Sequence, residues 1–183
     1  MLPITIILEP EKWDQEKGEF IPPKTQTLQL EHSLVSISKW ESKWCKSFLS
    51  NAANMTTEET VDYIRCMTIT QNVKPEIYNL LSSENVSQVN DYIGAPMTAT
   101  YFNDNKNGKS GGREKITSEL IYYWMIALNI PFECQKWHLN RLITLIRVCQ
   151  LKNEPPKKMN KGDIMSRNAA LNAARRKQLN TKG

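Results

Sequence analysis

The spacing of apolar positions changes from alternation to helical period near His32 to Lys39, and the chain reads differently on either side. On the N-terminal side Ile4-Thr5-Ile6-Ile7-Leu8 is β-branched and apolar. Glu16-Lys17-Gly18-Glu19 reads as a turn before Phe20 and Ile21, and Pro22-Pro23 stops that element. Thr25 to Glu31 alternates with Leu28 and Leu30 on one face, which predicts a further strand. After the switch Leu34, Ile37, Trp44 and Phe48 fall on helical spacing.

From Thr56 the signals are helical. Thr56-Thr57-Glu58-Glu59 is a capping box, with a hydroxyl at the N-cap and a carboxylate three residues on. The helix it opens is expected to bury Val61, Ile64, Cys66 and Met67. Pro75 suits the first turn of a short helix through Leu81. Ser83 is expected to cap another, with Val86, Val89 and Ile93 inward and Gly94 as its C-terminal stop. Thr98 to Phe102 is strand-like and Asn103 to Gly112 is rich in Gly and Asn, so a β-hairpin returning near Lys115 and Ile116 is predicted.

The predicted core is Thr117 to Gln150. Thr117 or Ser118 caps a helix that is apolar almost all round from Leu120 to Leu128, and such a helix must be covered on nearly every side. Pro131 ends it, and a second helix runs to about Gln150 with Trp137, Leu139, Leu142 and Ile146. The short Asn129-Ile130-Pro131 link predicts an antiparallel helical hairpin burying Trp124, Leu128, Leu142 and Ile146. Pro155-Pro156 marks a boundary. Beyond it, residues 163–179 are rich in Ala, Leu, Arg and Lys with few apolar positions, which predicts a separate basic helix. No internal repeat or heptad run is visible. The expected fold is α+β, mainly α: N-terminal strands and a small hairpin around a helical core. The expected division is a globular domain over 1–152 and a basic extension over 153–183.

Composition adds little except through charge. An apolar fraction of 40% and a charged fraction of 23% exclude a wholly disordered chain of 183 residues. Four cysteines (Cys45, Cys66, Cys134 and Cys149) stand far apart with no framework spacing, which reads as free thiols in a reducing compartment. The longest apolar stretch, Leu120 to Ile130, is too short to span a bilayer, and the start shows no signal pattern. The net charge of +5 hides an asymmetry: between Leu151 and Gly183, nine Lys or Arg face only Glu154 and Asp163. That segment carries +7 and leaves the first 150 residues at −2.

Four candidate chemistries fail on ligand count or motif order. Cys134 and His138 share a helical face, yet zinc wants four ligands and no second pair stands at finger spacing. Nothing marks Cys134 as an electropositive, exposed nucleophile, so a packed thiol is expected. Gly108-Lys109-Ser110 lacks the earlier glycine of a phosphate loop, because position 103 is Asn. Trp40, Trp44, Tyr122, Tyr123, Trp124 and Trp137 are not interleaved with lysine as a base-stacking platform requires, and read as packing residues. No catalytic residue, metal or cofactor is expected. The basic extension remains, with Lys157, Lys158, Lys161, Arg167, Arg175, Arg176 and Lys177 as partner-binding candidates. Its charge suits a nucleic-acid contact or docking on an acidic protein, and the protein partner is the expected one.

Three blocks carry a resemblance. They are Leu28-Gln29-Leu30-Glu31-His32-Ser33-Leu34 with Lys39-Trp40-Glu41-Ser42-Lys43-Trp44; Glu119-Leu120-Ile121-Tyr122-Tyr123-Trp124-Met125 through Trp137-His138-Leu139-Asn140-Arg141-Leu142; and Met165-Ser166-Arg167-Asn168 through Asn180-Thr181-Lys182-Gly183. Together the chain resembles small tailed-bacteriophage proteins of the tail-morphogenesis region, loosely grouped with tail-assembly chaperones. The resemblance implies a non-enzymatic protein acting on the tape-measure or tail-tube protein in the host cytoplasm, with self-association also open. The alternatives are a structural virion component, such as a connector or baseplate part, and a small nucleic-acid-binding protein. The group brings no catalytic residues with it.

Overall fold

The computed structural model describes residues 1–15, 18–102, 115–154 and 161–181. The fold is α+β and mainly α. Strands β1 (Leu2–Glu9) and β4 (Lys24–Leu30) pair antiparallel, with Leu2 opposite Leu30 and Ile7 opposite Thr25. The register slips between Ile7 and Glu9. Beyond that bulge β2 (Lys12–Asp14) and β3 (Glu19–Ile21) form a hairpin, with the Trp13 and Phe20 rings edge to face at 4.7 Å. Gly18 takes a left-handed φ of 66° and donates its N–H to the Asp14 carbonyl at 2.9 Å, while Glu16 and Lys17 of the predicted turn lie outside the described residues. Because side chains alternate, Ile4, Ile6, Leu28 and Leu30 all enter the core, while the Thr5 and Thr27 hydroxyls meet on the other face at 3.3 Å.

Helix α1 (Leu34–Trp44) starts at a Ser33 capping box with Ser36 and stops at Cys45, whose φ is 51°. Phe48 therefore does not continue it, as the spacing suggested, but begins α2 (Phe48–Asn51). The reason is Glu41: its Oε1 accepts the Phe48 N–H at 2.8 Å and turns the chain back under α1. There the Phe48 ring meets Trp40 at 5.5 Å and Tyr63 at 4.0 Å.

Helix α3 (Thr57–Met67) opens on the Thr56–Glu59 box at the expected place. Its inward face differs from expectation. Glu59, Asp62 and Tyr63 are buried beside Ile64 and Met67, whereas Val61 and Cys66 are only half-buried. Apolar periodicity overlooks polar side chains that find partners on the facing helix. Here the Trp40 Nε1–H donates to the Glu59 carbonyl at 3.0 Å, and the Trp44 Nε1–H donates to Asp62 Oδ2 at 2.9 Å. A 3₁₀ turn over Pro75–Leu80 leads to α4 (Ser83–Gly94), whose N-cap is Ser82 rather than Ser83 because Asn85 closes the box with it. Val89 is buried inward as expected, with Asn85 and Tyr92 beside it, while Val86 and Ile93 are half-buried. Gly94 is the last helical residue and extended Ala95 caps it, so no left-handed glycine stop is used.

The hairpin predicted at Thr98–Phe102 is a correction. The described residues there and at Lys115–Ile116 form no strand, and Asn103–Gly112 lie outside the described residues. Thr98 instead takes the Thr100 N–H on its own hydroxyl at 3.1 Å, and Arg147 lies 4.0 Å over the Phe102 ring. Strand-like residues without a neighbouring edge settle into such local bonds.

Helix α5 (Ser118–Ala127) starts at Thr117, and α6 (Leu139–Asn153) follows a 3₁₀ turn over Phe132–Lys136. The expected antiparallel α5–α6 pairing is also corrected: α5 packs on α1. Trp137 and His138 run extended instead of helical. Ser33 pairs with His138 as an isolated β-bridge, and the Leu139 N–H donates to the His32 carbonyl at 2.7 Å. That bridge fixes where α6 begins. Leu142 and Ile146 are buried as expected, while Trp124 and Leu128 are half-buried.

Packing divides the chain into two units, Met1–Gln150 and Leu151–Gly183. The second contains α7 (Lys161–Leu179), followed by Asn180 at a φ of 50°. Asn is one of the few residues that takes this conformation readily, and it commonly ends helices.

Candidate functional site

The two histidines of the chain, 106 positions apart in sequence, meet inside the globule with ring centroids 5.1 Å apart. His32 Nδ1 is hydrogen-bonded to the Tyr63 hydroxyl at 2.5 Å. His138 Nε2–H donates to the Tyr92 carbonyl at 3.0 Å, which leaves its Nδ1 to accept the Asn140 N–H at 3.3 Å. Tyr92 O–H donates to Glu31 Oε1 at 2.7 Å, and the other Glu31 oxygen holds the N-terminal ammonium at 3.0 Å. Asn140 extends the seam by donating to the carbonyls of Ile93 and Ala95 at 3.1 and 2.7 Å. The network ties β1, β4 and α3 to the end of α4 and the start of α6.

Burial sets its protonation. Loss of water, and secondarily the neighbouring His138, bring the His32 pKa down to about 3, and burial also lowers His138. Burial raises Tyr63 and Tyr92 above the ordinary phenol range, with Glu31 adding to the rise at Tyr92. At neutral pH both imidazoles are uncharged and both phenols keep their protons. A closed set of neutral rings with its hydrogen bonds taken up is built to hold elements together.

A second buried centre is Glu41. Its two oxygens accept the Phe48 N–H at 2.8 Å and the Ser118 N–H at 2.7 Å, closing the starts of α2 and α5 with one carboxylate. Lys46 pairs with Glu59 and Lys43 with Asp62, each at 2.5 Å. The Lys46 bond, with the Thr56 N–H, holds the Glu59 carboxyl below the usual range. Among the described residues no buried side-chain nitrogen or oxygen is left without a partner.

Two cavities open between helices. One of about 490 Å³ is lined by Lys43, Glu58, Asp62, Arg65 and Tyr78 among others, and one of about 410 Å³ by Glu31, Ser36, Lys39, Cys66 and Lys136 among others. Neither histidine lines either one. Burial pushes the Cys66 and Cys134 thiols up, away from the thiolate a nucleophile needs. No group of three His, Cys, Asp or Glu among the described residues is placed to hold a metal ion, and no described helix is long and apolar enough to cross a membrane.

The surface carries the remaining candidates. Helix α5 is not covered all round, contrary to the expectation from its composition: Tyr123 is 63% exposed and Ile126 61%. Tyr123 and Ile126, three apart on the helix, make an uncovered apolar patch, with Glu119 one turn before Tyr123 and Ile116 exposed ahead of the N-cap. Of the basic candidates, Lys161, Arg167, Arg175, Arg176 and Lys177 all lie exposed on α7, while Lys157 and Lys158 lie outside the described residues. Helical spacing puts Lys161, Arg175 and Arg176 on one face and sends Arg167 and Lys177 elsewhere. Glu41 and the histidine pair escaped the sequence reading. Their signal was weak but present, since His32 and His138 each stand just before a helix start.

Comparison of the chain with protein-family models, with curated proteins and with solved structures gives no match.

Proposed function

We propose that this chain is a non-enzymatic binding protein of tailed-phage tail assembly, a chaperone that covers an apolar helix of the tape-measure or tail-tube protein. The resemblance of its three sequence blocks supplies the family. One observation supports the mode of action: exposed Tyr123 and Ile126 leave apolar surface on a helix whose other face is already packed on α1. An apolar helix of a partner fits such a patch by laying its own i, i+3, i+7 anchors against it. Its place of action is the host cytoplasm, before the tail tube closes.

Co-expression with the tape-measure protein of a tailed phage that encodes this chain is the test. The wild-type chain is expected to co-purify with that protein and to be absent from finished particles by mass spectrometry. The double variant Tyr123→Lys, Ile126→Lys is expected to lose capture at least tenfold with an unchanged thermal midpoint. Capture that survives in this variant overturns the α5 assignment. High copy number in purified virions overturns the chaperone reading in favour of a connector or baseplate part.

A further inference from the structure

We infer that α7 is a nucleic-acid-binding helix that grips the phosphate backbone by charge and has no sequence preference of its own. Such a role is independent of the α5 surface and follows from where the charges and apolar groups of α7 fall.

The helix field explains only some of its cations. A helix favours positive charge in its last turn, and Arg176 and Lys177 sit there. Lys161 opens the helix, at the end where the same field repels a cation. Its presence is not a matter of helix stability. It shares a face instead with Arg175 and Arg176, fourteen and fifteen residues on, with Asn168 and Asn172 between them. These five side chains set hydrogen-bond donors along one face, which Met165 and Leu179 share as exposed apolar groups fourteen residues apart, too far to act as neighbouring anchors. From Lys161 to Arg175 the donors span about 21 Å, the length of about six base-pair steps.

The apolar groups speak against a protein groove. A helix docked in a groove presents anchors at i, i+3 or i+4, and i+7. On α7 Ile164 and Leu171 are seven apart, but Asn168 occupies the position between them and Arg175 the next one along. All its described side chains are exposed. A phosphate backbone asks for donors and positive charge, and takes no apolar anchors. The acid excess of the first 150 residues, −2 in net charge, leaves this end of the chain as the part that meets a polyanion.

Titration of the full chain against a short DNA duplex of arbitrary sequence, followed by fluorescence anisotropy across a salt series, tests the assignment. Three phosphate contacts alone make affinity fall about 40-fold between about 50 and 200 mM salt. The triple variant Lys161→Ala, Arg175→Ala, Arg176→Ala is expected to lose that part of the salt dependence, reducing the log–log slope by about 2.7. Its helicity by circular dichroism should hold, because Ala is the better helix former. Arg175→Lys with Arg176→Lys keeps the charges and should keep both affinity and slope. Tyr123→Ser with Ile126→Ser should leave DNA binding unchanged, which separates this inference from the α5 reading. Absence of duplex binding at low salt overturns the inference, as does an unchanged slope in the triple variant. Tighter binding to polyglutamate or to vesicles of anionic phospholipid than to the duplex overturns it too, in favour of an acidic protein or a lipid surface.

Discussion

The globule of Met1–Gln150 and the helix α7 handle charge in opposite ways. The globule takes charged and titratable groups inside and bonds each of them: Glu41 between two helix starts, Glu59 and Asp62 beside lysines, His32 against Tyr63 and His138. Helix α7 keeps its described side chains in water and has no apolar face to bury. Inside the globule, charge decides where helices begin and how they join, so each group has a structural reason for its position. On α7 the helix field favours the cations of the last turn and opposes Lys161 in the first. A cation that stabilises nothing in its own helix is placed for something outside it.

Three measurements break or sharpen that contrast. The largest effect belongs to the packed side: Leu142, fully buried on α6, is expected to cost about 2–5 kcal/mol on truncation to Ala, read by urea unfolding. Next comes acid. The unfolded chain takes up a proton on His32 near pH 6.5 and the folded chain only near 3. Stability is therefore complete above about pH 6.5 and falls as the pH drops through that window, by about 3 kcal/mol at pH 4. Urea unfolding across a pH series measures it, and His32→Gln should flatten the curve over that range. The smallest effect is the most telling for the comparison. Truncation after Asn153 removes α7 and should move the unfolding free energy of the globule by less than about 0.5 kcal/mol, as expected for exposed residues. A larger drop would show that the extension supports the globule.

How much of this was legible in the sequence follows from the range of the interaction concerned. The Thr56–Glu59 box, the alternation of Leu28 and Leu30 and the turn at Gly18 depend on neighbours a few residues away, and all three stand where the spacing puts them. The bend at Cys45 was invisible because its cause, the Glu41–Phe48 bond, involves a glutamate that looks like any exposed helix residue. The α5–α6 hairpin failed for a similar reason. A short proline link predicts antiparallel neighbours, but the bridge between Ser33 and His138 draws the second helix start toward the end of β4. The exposed patch on α5 inverts the usual inference: composition states what a helix needs to bury, not whether its own chain supplies the cover.

The Glu41 carboxylate carries a consequence for the order of events during synthesis. One of its oxygens serves Phe48, seven residues on, and the other serves Ser118, seventy-seven residues on. Both partners of the first bond exist once α1 and α2 have left the ribosome, whereas those of the second do not until well past the middle of the chain. His32 waits longer still, for Leu139. The nascent globule thus spends most of its translation with its two latest seams open, and it closes only when α6 arrives. Contacts of such long sequence separation fold slowly and leave apolar surface uncovered meanwhile. A ribosome stalled before residue 118 would hold a chain that has its N-terminal capping boxes and still cannot shut.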